Sequence, residues 1–453
     1  MCCTKSSCAL SKKINTAPEI MTSVEMKSKE ATKEPVRRQP TYQEGNYEIN
    51  YVAVAVLGLP ITGVLAAVLM GVPLQWKTFV AAVFFYMFNG CLGVTVGYHR
   101  LFSHRAYTAS TAFQWLCAFA GAGSFEGSAK WWGRNHRIHH RYVDTEKDPY
   151  NAQRGFIFSH MGWMIMKQDY SLLGKVDVSD FKYNYVIQFQ HKHFFKMAML
   201  SGVILPTLIC GLGWGDWLGG YFYAALAKIV FVHHCTFFIN SLAHTNLFGA
   251  VQNFSDRHSS HDSFVCALFT FGEGYHNFHH EFAQDYRNGI KWYHFDPTKW
   301  IIRAVSFVGG AKNLVRTPND VIDANFNKML LKKSRKAMEQ AQARLKELDI
   351  PISEEWTWEK VQNEVAKGRK LTVINNEVID LMRSIPTGSG YTHRSKDIIW
   401  YSNHPGGQRI LDMFVGKDAT SAFTGGVYGH SCGAEAYLQH LRVAKLKEVT
   451  NEV

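Results

Sequence analysis

Four long apolar runs limit this chain to few architectures. Tyr51 to Leu74 and Phe79 to Tyr98 carry no charged residue, while Phe194 to Trp214 and Leu218 to Ile239 carry one lysine each, Lys196 and Lys228. At helical rise, each run covers roughly 30 Å of hydrocarbon. They pair as two hairpins, and the second turn holds only Asp216. Pro60 lies inside the first run, where a membrane helix tolerates it if neighbours satisfy the freed backbone groups. Lys228 is expected either to snorkel or to face the bundle interior. Four crossings put both chain ends on one side. Basic residues crowd residues 1 to 48 and the segment Arg100 to Lys196, whereas the short turns hold at most Lys77. The positive-inside rule therefore places the basic side, with both termini, in the cytosol.

The stretch Thr111 to Gly127 is apolar but short and rich in Gly and Ala, so it reads as a buried or interfacial helix. This assignment decides where the histidines fall. His276, His279 and His280 repeat the spacing of His136, His139 and His140. On a helix, positions i, i+3 and i+4 share one face, so each triplet is expected to aim three imidazoles at one point. With His99, His104 and His244, nine imidazoles then lie on one side of the membrane. If Thr111 to Gly127 crossed, the clusters would be separated.

One zinc takes about four ligands, so nine imidazoles fit two ions with open positions, and a pair of irons is the expectation. His99 and His104 are five apart and converge only if the helix ends there or if they serve different ions. Asn240 lies one turn before His244 and can share its target, with the amide acting through water. His233 reads as packed between helices, and His160, His191, His193, His258 and His261 as non-ligands. Asp144, Asp148, Glu126 and Glu273 are the carboxylates near enough in sequence to orient imidazoles.

The net charge of +12 suits nucleic acid, an anionic membrane face or an anionic substrate, and composition alone does not choose. Nine cysteines, four of them inside apolar runs, suggest a reducing compartment. Residues 1–48 read as a disordered basic arm with no signal peptide before it, and Cys2 and Cys3 as an unremarkable start. Residues 311–353 read as a helical linker, charged from Asn319 to Leu348. A separate soluble module follows, with Leu371 to Ile374 as a strand and His404-Pro-Gly-Gly407 in a turn.

Gly97-Tyr-His-Arg-Leu-Phe-Ser-His104, Asn135-His-Arg-Ile-His-His140, Asn240-Ser-Leu-Ala-His244 and Gly274-Tyr-His-Asn-Phe-His-His280 resemble the histidine boxes of membrane acyl-CoA desaturases. Gly127 to Gly133, Asp148-Pro-Tyr150, Phe158 to Trp163 and Asp285-Tyr-Arg-Asn288 resemble the fungal delta-9 branch, so the likeness covers about Tyr51 to Phe307. Phe102, where many relatives have Trp, is a mild departure. The resemblance implies a di-iron site held by the nine histidines, with Asn240 through water. It also implies dioxygen as oxidant and a cis double bond placed mid-chain in a saturated fatty acyl-CoA, the work of a stearoyl-CoA 9-desaturase type oxidoreductase. A bent apolar tunnel is expected to end at second-span residues such as Phe85, Tyr86 and Met87. Lys130, Arg134, Arg137, Arg141 and Arg154 are candidates for the anionic CoA head group, with attraction to anionic lipid an equal reading.

His404-Pro-Gly-Gly407, Gly416-Lys-Asp-Ala-Thr420 and Gly429-His-Ser431 resemble a cytochrome b5 domain, with His404 and His430 at the positions of its haem ligands. A departure lies around Ser384 to Lys396, where family members have a short link; it reads as an inserted surface loop or a faulty gene model.

The expected fold is mostly α: an integral membrane domain over 49–310, with four transmembrane helices in two hairpins under a cytosolic helical di-iron cap. A small α+β cytochrome b5-like haem domain occupies 354–453. The implied setting is the endoplasmic reticulum membrane. The implied partners are fatty acyl-CoA, dioxygen, NADH-cytochrome b5 reductase as electron source and the lipid bilayer, with no nucleic acid. Competing readings are a related di-iron hydroxylase or a desaturase of other regiospecificity, and, outside enzymes, a histidine-rich metal transporter. The transporter predicts histidines inside the spans and has no use for haem.

Overall fold

A computed structural model describes residues 48–385, 398–425 and 429–447. Residues 1–47, which hold all but the last residue of the basic arm and include Cys2 and Cys3, therefore lie outside the described residues. The chain divides into two compact units, one ending at Met329 and one beginning at Leu330, within the long helix Asn319–Leu348.

In the first unit four helices are long and apolar enough to cross a membrane: Tyr51–Leu69, Trp76–Ser103, Phe194–Trp214 and Trp217–His244. The second and fourth overrun the ends read from hydropathy. Their polar last turns are buried, and they carry His99 and His244 with them. Asn50 caps the first span by accepting the Ala53 N–H, and Pro60 sits within that helix.

The bundle is tied together by polar contacts that lipid cannot replace. Lys228 faces inward, and its Nζ donates to Asn89 Oδ1 at 2.7 Å, Gly123 O at 3.1 Å and Gly202 O at 3.2 Å. One ammonium thus joins spans two, three and four and the end of the short helix Thr111–Ala122. At the second hairpin turn, Thr78 donates to Asp216 and receives Trp214 Nε1 at 2.9 Å.

The helix Thr111–Ala122, at 12 residues, is too short to cross and packs along the second span. Two glycines make that contact possible. A Cβ at Gly93 would land on the backbone of Ala120 and Gly121, and one at Gly121 would land on the Tyr98 ring. Over Met87–Ser103 the second span winds wide, with i→i+5 hydrogen bonds, down to His104 N–H donating to His99 O at 3.1 Å.

In the second unit a four-stranded sheet has the order Glu355–Trp356, Arg442–Leu446, Glu377–Asp380, Leu371–Ile374. The last two strands form a hairpin through Asn375 and Asn376, whose φ values of 52° and 61° are those of a two-residue type I′ turn. Val361, Leu371, Val373, Val378 and Ala444 fill one face of the sheet, and Ile374, Ile379, Leu381 and Leu441 begin a second cluster. Most of the Ser384 to Lys396 stretch lies outside the described residues. Its two ends meet, however, with Ser384 paired to Ile399 and Ile385 to Ile398. The departure therefore leaves and rejoins the module at one place.

The Gly93 contact yields a direct expectation. Gly93→Ala should destabilise the membrane unit by about 1–3 kcal/mol through overpacking, read as a lower thermal midpoint in detergent. An unchanged midpoint would mean that the two helices are not held at this separation.

Candidate metal centre

Nine imidazoles converge in two groups. His99, His104, His136, His140 and His279 form one, and His139, His244, His276 and His280 the other; within each group the facing ring nitrogens lie within 4.8 Å of one another. Each triplet splits, which corrects the expectation of three rings on one point. The helix Ala129–Tyr142 sends His136 and His140 to the first group and His139 to the second, and the helix His276–Glu281 does the reverse. Residues i and i+4 are separated by about 40° around a helix, but i+3 and i+4 by about 100°, so adjacent histidines cannot serve one ion. His99 and His104 do converge, because the second span ends at His104 and the wide i→i+5 turn brings both rings to one side.

The tautomers of three rings follow from their outer partners. His99 Nδ1 is 2.9 Å from Glu273 Oε2, and His139 Nδ1 is 3.0 Å from both oxygens of Asp148. His244 Nδ1 is 2.8 Å from Ser259 Oγ, which donates to Asp144 Oδ1 at 2.5 Å. Each contact places the proton on Nδ1 and leaves a lone pair on Nε2. Yet the Nε2 atoms face one another: His99 and His140 each 2.9 Å from His279, His104 at 2.8 Å from His136, His276 at 3.0 Å from His280 and 3.2 Å from His244. For metal–imidazole bonds of about 2.1 Å, ligands at right angles stand about 3.0 Å apart. These spacings are edges of a coordination polyhedron, and the donor set fits a metal pair.

Burial, reinforced by the neighbouring rings, pushes the pKa values of His104, His136, His140, His276, His279 and His280 well below the usual histidine range, so the ligands stay neutral. Burial would raise Glu273, but the charge of Arg100 and the hydrogen bonds from Arg100 and the His99 ring outweigh it and hold the carboxyl below its ordinary value. Arg100 is itself buried, donating to Glu273 Oε1 at 2.8 Å, Asp296 Oδ1 at 2.9 Å and Tyr286 O at 2.7 Å.

Of the four carboxylates read as orienting groups, Asp148 and Glu273 touch imidazoles directly and Asp144 acts through Ser259. Glu126 touches none. It accepts from Thr236 Oγ1 at 2.7 Å and Trp132 Nε1 at 3.0 Å, and the Trp132 ring stacks on His136 with centroids 4.8 Å apart. Arg100 and Ser259 were missed by sequence reasoning. Only a charge at the inner end of a span pointed to Arg100.

Among the described residues, the histidines read as non-ligands lie outside both groups. His160 bonds His234 and Ser241, His191 bonds Ser128, His258 bonds Ser260, and His261 Nδ1 meets Ser259 O. His193 lies against Phe189 and His233 against Phe237.

A mainly apolar cavity is lined by His99, His136 and Asn240, by Trp132 and Thr236, and by Gly90, Phe271 and Tyr86. Of the three residues expected at its end, only Tyr86 lines it, since helical winding turns Phe85 and Met87 away. Among the candidate head-group cations, Arg137 is committed elsewhere: it pairs with Asp180 at 2.7 and 2.8 Å and donates to Phe102 O and Ser103 O. Arg134 lies over Tyr170 and Arg154 over Phe158; Arg141 lies over Tyr142 and reaches Lys175 O. Lys130 lies in the first turn of the histidine-bearing helix Ala129–Tyr142.

In the second unit the His404 and His430 rings face each other with centroids 6.1 Å apart, and His430 Nδ1 lies 3.0 Å from Phe423 O. Two metal–nitrogen bonds of about 2 Å, each with about 1.1 Å from nitrogen to ring centre, span about 6.2 Å. The pair fits a haem iron between them.

A membrane oxidoreductase with a histidine-held metal pair and an attached haem module is the class that this fold and these sites define. A family model described as fatty acid desaturase matches residues 74–309, and one described as cytochrome b5-like haem/steroid binding domain matches 399–447. The chain is 42% identical over 415 residues to a probable acyl-CoA desaturase of Schizosaccharomyces pombe, covering 91% of this chain and 81% of that protein. It is 40% identical over 434 residues to acyl-CoA desaturase 1 of Saccharomyces cerevisiae, covering 94% and 79%. Human stearoyl-CoA desaturase 5 is 34% identical over 246 residues, 53% of this chain and 73% of that one. The chain belongs to the fatty acid desaturase family. It is a multi-pass membrane protein whose cofactors are a di-iron centre and a haem.

Burial pushes the Glu126 carboxyl up to about 8, against the hydrogen bonds from Thr236 and Trp132. Unfolded glutamate titrates near about 4.3, so between these values the folded protein keeps a proton that the unfolded chain has lost. Stability is therefore full below about pH 4.3 and falls as pH rises towards about 8. Glu126→Gln, which cannot ionise, should gain thermal midpoint over the parent as pH rises from 5 to 8. A difference independent of pH would contradict this placement of the proton.

Proposed function

We propose that this protein inserts a cis double bond at the delta-9 position of saturated fatty acyl-CoA, using dioxygen and electrons that its own haem module relays from NADH-cytochrome b5 reductase. The carrying observation is the junction of two features. Nine imidazoles gather in groups of five and four, and His99 and His136 of the first group line an apolar cavity that reaches Tyr86 on the second span. Abstracting hydrogen from an unactivated methylene exceeds what ordinary side chains can do, so the iron pair supplies the oxidising power. We assign His99, His104, His136, His140 and His279 to one iron, and His139, His244, His276 and His280 to the other, with Asn240 beside it through water. His404 and His430 hold the haem.

The other residues position and exclude. Asp148, Glu273 and the Ser259–Asp144 pair fix ring orientation and keep protons off the inner nitrogens. Trp132, Thr236 and the apolar walls keep water from the reacting methylene. Lys130, Arg134, Arg141 and Arg154 are proposed to meet the CoA phosphates; Arg137, paired with Asp180, serves the fold instead. Basic segments between the spans support cytosolic termini in the endoplasmic reticulum membrane.

Expression in desaturase-deficient cells should restore delta-9 unsaturated fatty acids in the lipid profile. Replacing His136, His139, His140, His276, His279 or His280 by Ala should abolish the product, with two irons per chain in the parent; stoichiometric zinc in active protein would end the di-iron assignment. His261→Ala should keep near-normal activity, and complete loss would show that the ligand set is drawn wrongly.

The tether has its own test. A linked donor works at an effective concentration of roughly millimolar, so a diffusing partner becomes unnecessary. His404→Ala and His430→Ala should each lose the haem absorbance and most activity in cells lacking other cytochrome b5. Full activity of both would refute the relay.

A further inference from the structure

Of the second-span residues that line the cavity, Tyr86 lies farthest from the histidines. Tyr86 lines the cavity, and its ring sits 4.6 Å from Phe271 on the inner side and 5.4 Å from Phe231 on the outer. Those two neighbours differ in kind. Phe271 is 5% exposed, while Phe231 is 54% exposed on the fourth span, where the surroundings are hydrocarbon. Val83, one turn before Tyr86, is likewise on the outer surface. Tyr86 is thus the layer between cavity and bilayer, at the seam of the second and fourth spans.

The seam is latched. Tyr86 Oη donates to Phe269 O at 2.5 Å and lies 3.3 Å from Cys235 Sγ. Phe269 ends the short helix Phe264–Phe269, so one phenol joins two spans to a segment outside them. In the next turn Phe271 and Gly272 both have positive φ, 56° and 97°, and Phe271 lines the cavity. Gly90 makes room for it, since a Cβ there would stand 2.9 Å from the ring.

We propose that Tyr86 is a lateral door between the acyl cavity and the hydrocarbon of the bilayer, latched by its hydrogen bond to the Phe269 carbonyl. The door rests on the acyl-chain reading of the cavity given above. Closed, it sets the longest chain accepted; open, it lets the methyl end of an acyl chain pass between spans two and four into lipid. A chain freed from the metal end then has a hydrocarbon route out that avoids water.

The test uses the full-length protein in membranes. Saturated acyl-CoAs of increasing length are supplied to the parent and to Tyr86→Ala, and products are measured by mass spectrometry. The parent should show a sharp upper length limit, and Tyr86→Ala should show none, because the bilayer accommodates any overhang. A new sharp limit a few carbons longer, or an unchanged one, would mean that a closed wall lies behind Tyr86 and would overturn the door. A second arm guards against a misfolded alanine variant. Stearoyl-CoA with a diazirine at its methyl end is photolysed in parent and in Tyr86→Phe, which keeps the ring and loses the latch. Phospholipid adducts should rise several-fold in Tyr86→Phe; equal adducts would also overturn the proposal. Absence of any unsaturated product from the parent would instead sink the desaturase reading, a separately visible failure.

Discussion

Nine lone pairs aimed inward in a dry site are the constraint on which the first unit depends. Neutral imidazoles with Nε2 atoms about 3 Å apart gain little from one another, so other parts of the chain must hold them there. Three do so through their outer nitrogens, on Glu273, Asp148 and Ser259. Glu273 is in turn fixed by the buried Arg100 and by Asn288 Nδ2 at 2.6 Å. The metal centre is therefore the meeting point of the second span, the helix Ala129–Tyr142 and the loops on either side of His276–Glu281. Loss of one orienting carboxylate should be felt as loss of metal affinity, because the remaining cost of burial is unchanged.

The membrane bundle supplies the direction of approach. Lys228 bound to three oxygens, and glycines at Gly93 and Gly121, hold the spans close enough to enclose a narrow cavity. That cavity begins at the imidazoles and ends at Tyr86. Its apolar lining suits a hydrocarbon chain, while Glu126, kept protonated by burial, supports the Trp132 and Thr236 wall without adding charge.

The histidines were legible in the sequence because the repeated spacing is rare and because the short Thr111–Ala122 helix keeps all of them on one side. How each triplet divides was missed, although the 100° between i+3 and i+4 already argues against one target; which rings of the two triplets share a group depends on tertiary placement that the separate spacings do not record. The convergence of His99 and His104 was left open for a related reason: a straight α-helix forbids it, and the wide turn at the end of the second span is a tertiary accommodation. Arg137 looked like a head-group cation by position, yet Asp180 lies 43 residues away in sequence and claims it. In the second unit the His404 and His430 spacing was readable, and the inserted stretch proved to leave and return through one short ladder.

The most direct measurement is anomalous diffraction at the iron edge from crystals of the iron-loaded protein. Two peaks are expected, one among His99, His104, His136, His140 and His279, and one among His139, His244, His276 and His280. A single peak, or a peak bounded by His258 or His261 in place of these residues, would contradict the account.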